Sequence, residues 1–178
     1  MYFAIREGVA ADAGVLLPLV ERGARQLYSK LPSSNKLFVD KITKEYESLL
    51  AKPGHVLVAL SPYGIVGTIY LCRGQGSGVW LGGLYTALRG FGIGHILNDH
   101  ALLLAASNGY SIVKTETLDT NTIALRSLEE RGYHRTGVRQ DADFDDINWV
   151  ELTINLLPGS LDPTAAKQRR KNNHGIIS

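Results

Sequence analysis

The glycine-rich stretch in the middle of the chain contains the residues best suited to bind a ligand. After Leu84, Tyr85 and Thr86, which end an apolar strand, the chain reads Arg89-Gly90-Phe91-Gly92-Ile93-Gly94 and enters a helix near His95. Alternating glycines let the backbone approach a ligand, and free N–H groups at a helix N-terminus attract anions. Arg89 can add a charge-assisted hydrogen bond. This combination predicts a loop that binds a phosphate or pyrophosphate group.

The same glycines are compatible with an ordinary turn that packs a helix closely against a strand. Two known nucleotide-binding signatures fit less well. A dinucleotide-binding unit places Gly-x-Gly-x-x-Gly after an early strand, with an acidic residue about 20 positions further on. Here the glycines fall mid-chain and lack that register, and no Gly-Lys-Ser or Gly-Lys-Thr follows them as in a nucleoside-triphosphate P-loop.

Two further blocks of sequence accompany the glycine-rich stretch in the expected order. The chain opens with Ile5-Arg6-Glu7 and a helix with Asp12 near its start, and it later reads Asn121-Thr122-Ile123-Ala124 through Glu130-Arg131-Gly132-Tyr133. Together the blocks resemble the GNAT N-acetyltransferases over roughly residues 3 to 157. The family signature of Arg or Gln, two residues, Gly, any residue, and Gly or Ala is matched by Arg89 to Gly94.

This resemblance implies acetyl-CoA as cosubstrate, no metal, and transfer of the acetyl group to a primary amine of a small molecule or peptide. Transfer would proceed by direct attack in a ternary complex. The pyrophosphate would lie on residues 89–94 and His95, and the pantetheine along the strand edge Leu84, Tyr85 and Thr86. Asn121 would orient the cofactor. The segment between this strand and Arg89 is shorter than is usual in the family.

Glu116 is the candidate general base because it lies on a strand five positions before Asn121. Bacterial enzymes of this family that acetylate ribosomal-protein N-termini place their catalytic Glu there. A partly buried carboxylate has a raised pKa and can take a proton directly or through one water. The alternative is an ordinary polar strand residue paired with Lys114 or Arg126.

Many family members carry a Tyr that protonates the leaving thiolate, and this chain has Leu128 at that position. Ser127, Tyr85 and Tyr133 are the alternative donors, and spacing favours none of them. A thiol with a reference pKa of about 8.5 leaves tolerably well without an acid.

An acidic loop between the last two strands could attract a cationic acceptor. Its carboxylates are Asp141, Asp143 and Asp145, together with Asp146, and a plain solvated loop is the alternative. The spacing does not match an EF-hand calcium loop. His95, Asp99 and His100 are interpreted as ordinary helix residues rather than a metal site or catalytic triad, since no nucleophile elbow accompanies them.

Length and composition favour one domain. The chain has 178 residues, of which 44% are hydrophobic, and its single cysteine, Cys72, excludes an internal disulfide. The N-terminus does not resemble a signal peptide and no apolar run matches a membrane span, so the prediction is a cytoplasmic protein without a membrane partner. The resemblance also suggests a homodimer, because relatives often dimerise through their last strands.

The predicted fold is a single-domain α/β (α+β) structure with a GNAT-like mixed central sheet and helices on both faces. Periodicity predicts helices at 10–31, 35–52, 95–108 and 122–131 and strands at 2–6, 55–61, 65–73, 79–86, 111–118, from 133, and 148–157. Residues 1–157 would form the acetyltransferase domain, and residues 158–178 a basic, flexible tail.

The tail motivates one of two alternative functions. Four basic residues against one acidic residue give the tail a net charge of +3. The whole chain has a net charge of +2, so the rest of the chain has a net charge of −1. The tail could bind RNA or another polyanion, although nucleic acid is the less favoured partner. The other alternative is a non-catalytic acyl-CoA-binding or interaction protein, which the absence of the usual Tyr at Leu128 and the shortened loop before Arg89 suggest.

Overall fold

The computed structural model describes residues 2–29, 35–52, 54–74, 78–142, 144–145 and 147–156. A short 3-10 turn at Ala10–Asp12 precedes the first helix. The helices are α1 (Ala13–Leu27), α2 (Asn35–Leu50), α3 (Ile93–Ser107) and α4 (Thr122–Glu129). The strands are β1 (Ala4–Glu7), β2 (Val56–Ser61), β3 (Gly64–Arg73), β4 (Gly78–Thr86), β5 (Ile112–Leu118), β6 (His134–Gln140) and β7 (Asn148–Asn155). The predicted tail at 158–178 lies outside the described residues.

The seven strands form one sheet in the order β1-β2-β3-β4-β5-β7-β6. β4 and β5 run parallel with α3 as their crossover, whereas the other neighbouring strands pair antiparallel. The last two strands exchange places, so that β7 lies beside β5 and β6 forms the edge. The predicted mixed sheet is confirmed.

The sheet has a hydrophobic core on each face, as its helices predict. On one face α3 and α4 contribute Ile93, Leu97 and Leu125 to a cluster with strand residues such as Leu81. On the other face α1 and α2 pack residues that recur at helical spacing, including Leu16, Val20, Phe38 and Tyr46. The predicted placement of helices on both faces is confirmed.

The first helix differs from its prediction at its start and around its proline. Residues 10–12 form the 3-10 turn, where the Asp12 carboxylate accepts the Val9 N–H at 2.9 Å and pairs with Arg6 at 2.7 Å. α1 then continues through Pro18 without interruption. Leu16 and Leu19, which flank the proline, are buried, and their packing offsets the lost backbone hydrogen bond.

The two parallel strands diverge toward their carboxyl ends. β4 pairs with β5 from Gly78 to Leu81, opposite Ile112 to Thr115, yet β4 extends to Thr86 and β5 to Leu118. Beyond Leu81 and Thr115 the facing edges of these strands have no ladder between them. The divergence leaves backbone groups in the middle of the sheet available to a ligand.

A β-bulge in β4 accompanies this divergence. Tyr70 is opposite Gly82 and Thr68 is opposite Tyr85, so Gly83 and Leu84 together face a single residue of β3. Gly83 has a φ of +60°, and its carbonyl accepts a hydrogen bond from the Tyr46 hydroxyl. Bulges bend a strand and increase its twist, which turns the end of β4 away from β5.

Replacing Gly83 with Ala should lower the melting temperature by about 4 °C or more. A Cβ at Gly83 would lie 2.5 Å from Tyr46 Cε2 and 2.6 Å from Tyr70 Cε1, and both rings are buried. The left-handed backbone adds about 1 kcal/mol, and each kcal/mol shifts a domain of this size by about 2–4 °C. Thermal denaturation of Gly83→Ala and Gly109→Ala separates the cost of the steric clash from the cost of the left-handed backbone. Gly109 has a φ of +80° but open space around it, so Gly109→Ala has only the backbone cost. Equal shifts for the two variants would show that the tyrosine rings yield to the new methyl group.

Candidate functional site

The glycine turn lies where β4 ends and α3 begins. Gly90 and Gly92 have φ values of +81° and +73°, in the left-handed region that favours glycine. Gly92 caps α3, which starts at Ile93, slightly earlier than predicted, and its carbonyl accepts the Ile96 N–H at 3.0 Å. The turn therefore directs the N-terminal N–H groups of α3 toward the space beside it.

The space above this turn is open. A Cβ built at Gly90 or Gly92 would meet no atom within 4 Å. Gly94 differs, since its Cβ would lie 3.2 Å from Leu84 Cδ2, so its smallness serves close packing of α3 on β4. Arg89 is exposed, and its Nη2 donates to Gln26 Oε1 of α1 at 3.4 Å.

The predicted pantetheine edge consists of residues with different environments. Leu84 is 46% exposed, whereas Tyr85 is buried in the core beneath α1 and α2. The Tyr85 ring lies against Gly23, where a Cβ would approach Tyr85 Cδ1 to 2.6 Å. Thr86 pairs with Gly67 on β3. The end of β4 therefore pairs with β3 along one edge, and its other edge faces the space where β4 and β5 have separated.

Glu116 is the first residue of β5 beyond the ladder with β4. Its side chain is 20% exposed, and its Oε2 accepts a hydrogen bond from Arg139 Nη2 at 2.7 Å. Arg139 reaches it from β6 across β7, where the Arg139 Nε lies 3.7 Å from Glu151 Oε1. The guanidinium also lies 5.8 Å from the ring centre of Trp149. Glu116 is therefore a half-buried carboxylate with one cationic partner.

The cation beside Glu116 is neither of the two that the sequence suggested. Arg126 of α4 pairs with Glu130, the residue that follows this helix, and Lys114 is an exposed residue of β5. Arg139 was missed because the exchange of β6 and β7 in the sheet cannot be derived from hydrophobic periodicity.

Opposing influences set the pKa of Glu116. Burial raises it, whereas the hydrogen bond and the charge of Arg139 lower it, and the carboxylates of Glu151 and Asp141 raise it further. The balance is a pKa above that of an ordinary Glu. A raised pKa makes this carboxylate a better proton acceptor than an exposed one.

Removing Arg139 should move the acid limb of the pH profile of kcat/KM to higher pH. Arg139→Gln deletes the hydrogen-bonded cation that lowers the Glu116 pKa, so the carboxylate stays protonated, and inactive as a base, up to a higher pH. Arg135→Gln on the same strand is the control, since Arg135 pairs with Glu129 instead. An unshifted limb in Arg139→Gln would show that Glu116 does not govern it.

Comparison with known proteins places this geometry in a large group of structures. No protein-family model matches the sequence, and neither does any curated protein. The PaiA N-acetyltransferase of Thermoplasma acidophilum, solved with coenzyme A, superposes with a TM-score of 0.72 at 14% identity, covering 88% of this chain and 100% of that one. This chain has the GNAT acetyltransferase fold.

Two further structures show the same fold. Ribosomal-protein-alanine N-acetyltransferase of Brucella melitensis has a TM-score of 0.65 at 16% identity, with 86% of this chain and 99% of that one covered. Aminoglycoside 6'-acetyltransferase type Ii has a TM-score of 0.68 at 20% identity, with 87% and 98% covered. The nearly complete coverage of these structures agrees with a single domain of GNAT fold.

Asn121 has a structural task in this GNAT fold. Its Oδ1 accepts the Ala124 N–H at 3.3 Å as the cap of α4, and its Nδ2 donates to Thr117 Oγ1 at 3.0 Å. Asn121 thereby fixes the start of α4 against β5. A direct role in orienting the cofactor stays a prediction.

The groups suggested as proton donors in place of Leu128 are spread over both faces of the sheet. Leu128 itself packs against the core beneath α3 and α4. Tyr133 is buried in that core and donates to Asn98 Oδ1 at 3.2 Å, whereas Tyr85 lies in the opposite core. Burial raises the pKa of both tyrosines. Ser127 Oγ lies 3.3 Å from His95 Nε2, which joins α4 to the first turn of α3.

The acidic loop is only partly described. Asp141 Oδ2 accepts the Trp149 indole N–H at 2.8 Å, and its N–H donates to the Ile147 carbonyl at 2.8 Å. The Asp145 carbonyl accepts the Gln140 amide at 2.7 Å. Asp143 and Asp146 lie outside the described residues. Asp141 therefore anchors the loop to β7, and a role in binding a cationic acceptor stays a prediction.

Two negative findings concern the described residues alone. Within them, no group of three or more His, Cys, Asp or Glu side chains is arranged to hold a metal ion. None of the helices in the described ranges has the length and apolar character needed to cross a bilayer. Asp99 pairs with Arg131.

Proposed function

We propose that this protein is an acetyl-CoA-dependent N-acetyltransferase that transfers the acetyl group to a primary amine by direct attack in a ternary complex. One observation carries the proposal: β4 and β5 separate after Leu81 and Thr115 and leave an opening between them. The β4 side of this opening ends at the glycine turn, and the β5 side begins with Glu116. Structural relatives with the same fold are acetyltransferases, one of them in complex with coenzyme A.

The opening suits an extended thioester with a pyrophosphate at one end. The unpaired edge of β4 at 82–86 offers backbone donors and acceptors to the amide groups of the pantetheine. Gly90 and Gly92 leave room above the turn, where the first N–H groups of α3 and the Arg89 guanidinium favour an anion. When bound there, acetyl-CoA supplies the activated acetyl carbon.

Glu116 acts as the general base in this proposal. The acceptor enters as an ammonium ion and loses one proton to the Glu116 carboxylate, directly or through a water molecule. The freed nitrogen lone pair forms a bond to the acetyl carbon, and the carbon–sulfur bond breaks with its electron pair on sulfur. The acylated nitrogen then releases its second surplus proton to solvent, which leaves the neutral amide. Arg139 keeps the carboxylate oriented, while burial keeps its pKa high enough to accept the proton.

The departing thiolate takes its proton from solvent in this proposal. Leu128 has no acidic hydrogen, and it packs against the core. Tyr133 and Tyr85 lie on opposite faces of the sheet in buried positions. A thiolate whose conjugate acid has a pKa of about 8.5 is stable enough to leave unprotonated.

The test is a screen of primary amines with acetyl-CoA, followed by detection of the free thiol and by mass spectrometry of the acceptor. The expected result is amine-dependent thiol release and an acceptor heavier by one acetyl group. Tight acetyl-CoA binding with no acetylated product from any small amine or peptide amine would instead favour the non-catalytic acyl-CoA-binding alternative.

A further inference from the structure

A groove of about 730 Å³ lies between α1 and the glycine turn. Its charged lining residues are Glu21, Arg22, Arg25 and Arg89, and Gln26 and Ser29 complete its polar wall. Grooves of this size hold small molecules and use a few placed polar groups to orient them. Three guanidinium groups against one carboxylate make the lining strongly cationic.

Within the described part of the chain, two of these three arginines have no anionic partner. Arg25 is neutralised by Glu21, which accepts its Nε at 3.1 Å and its Nη2 at 2.7 Å. Arg89 donates to the neutral amide of Gln26, at 3.4 Å. Arg22 is exposed, and no described side chain forms a hydrogen bond or ion pair with it. The groove therefore has a charge excess that an anion would balance.

Residues of α1 connect the groove to the end of β4, where we propose that the reaction takes place. Arg22 precedes Gly23, the residue whose backbone lies against the Tyr85 ring at the end of β4. Ser29 follows Tyr28, whose hydroxyl interacts with that of Tyr85. Burial raises the pKa of Tyr28, and the negative charge of Glu116 adds to this rise.

We propose that this groove binds a carboxylate or phosphate group of the acceptor. The acceptor would then be a zwitterion, with its amine toward Glu116 and its anionic group at Arg22, beside the Arg25–Glu21 pair. This inference rests on the proposed function and specifies its substrate class. The other source of the same chemistry is the cofactor itself, whose 3'-phosphate would compete for the groove.

The test measures anion binding by calorimetry, with inorganic phosphate and, in parallel, succinate as probes at constant ionic strength. Each titration is done on the free protein, on the protein saturated with acetyl-CoA, and on the protein saturated with acetyl-dephospho-CoA. Saturation fills the glycine turn, so any remaining anion binding reports on the groove. Arg22→Gln should weaken that remaining binding by about fivefold or more.

Two further variants test whether the change in anion binding is specific to the groove. Arg73→Gln is the charge-matched control, since Arg73 pairs opposite Val79 at the other end of β4. It should bind both probes like the wild type. Glu21→Gln removes the carboxylate that occupies Arg25, so it should bind at least one probe more tightly than the wild type.

The outcomes separate the two sources of the anion. Binding of a probe to the acetyl-CoA complex that Arg22→Gln weakens supports an anionic acceptor. Binding that disappears with acetyl-CoA and returns with acetyl-dephospho-CoA assigns the groove to the cofactor and overturns the proposal. The absence of binding by either probe, or equal binding by Arg22→Gln, also overturns it. Failure of acetyl-CoA to bind at all would show in the saturation step and would refute the proposed function itself.

Discussion

Replacing Glu116 with Gln should reduce kcat/KM by about 10² or more near neutral pH, because the amide cannot take the proton of the acceptor ammonium. Gln keeps the shape of the side chain, and its carbonyl oxygen can still accept the hydrogen bond that Arg139 donates. The affinity for acetyl-CoA should therefore stay similar. Steady-state kinetics with an acceptor from the amine screen, together with a binding titration of acetyl-CoA, measure both quantities.

The pH dependence distinguishes a base from a residue that only positions the substrate. Raising the pH should partly rescue Glu116→Gln, since more of the acceptor amine is then already neutral. Glu151→Gln is the matched control, because Glu151 lies opposite Glu116 on β7 and also faces Arg139. We expect Glu151→Gln to lower kcat/KM far less than Glu116→Gln does. Wild-type rates in Glu116→Gln across about pH 6 to 9 would rule out the general-base role.

The second large effect concerns the glycine turn. Gly92→Val should remove most of the thermal protection that acetyl-CoA gives, which for the wild type is about 2.7 kcal/mol at a hundred times the Kd. The new side chain would occupy the open space above the turn and would strain a backbone with a φ of +73°. Thermal denaturation with and without acetyl-CoA measures this protection.

A control with the same backbone strain is available at the other end of α3. Gly109 has a φ of +80° and, like Gly92, no atom within 4 Å of a built Cβ. Gly109→Val should therefore lose a similar amount of stability and yet retain its protection by acetyl-CoA. Full protection of Gly92→Val would show that the cofactor phosphates do not lie on this turn.

The sequence predicted the elements well because their signals are local. Helical spacing places α1 and α2, and alternation with turn residues places the strands within a few residues of their observed bounds. The glycine turn was found for the same reason, since a left-handed backbone at Gly90 and Gly92 calls for that residue type. The Gly82-Gly83 pair carried a further local signal, a bulge in a strand, that the prediction did not use.

The electrostatic surroundings of the site could not be predicted, since they depend on long-range pairing. Arg139 meets Glu116 only because β7 inserts between β5 and β6, and the register across that pair decides which side chains meet. The groove depends on how α1 lies over the end of β4, which Gly23 permits by its lack of a side chain. The capping role of Asn121 could be predicted from the sequence, because Asn before a helix is a common N-cap.

The most direct test of the account is amide hydrogen exchange of the wild-type protein with and without acetyl-CoA. Backbone amides that have no ladder partner exchange readily until a ligand bonds to them. We expect acetyl-CoA to slow exchange at the carboxyl end of β4, at 82–86, and through the turn to the first residues of α3, at 87–96. Exchange that is unchanged in both segments at saturating acetyl-CoA, or slowed only elsewhere, would contradict the claim that this opening holds the cofactor.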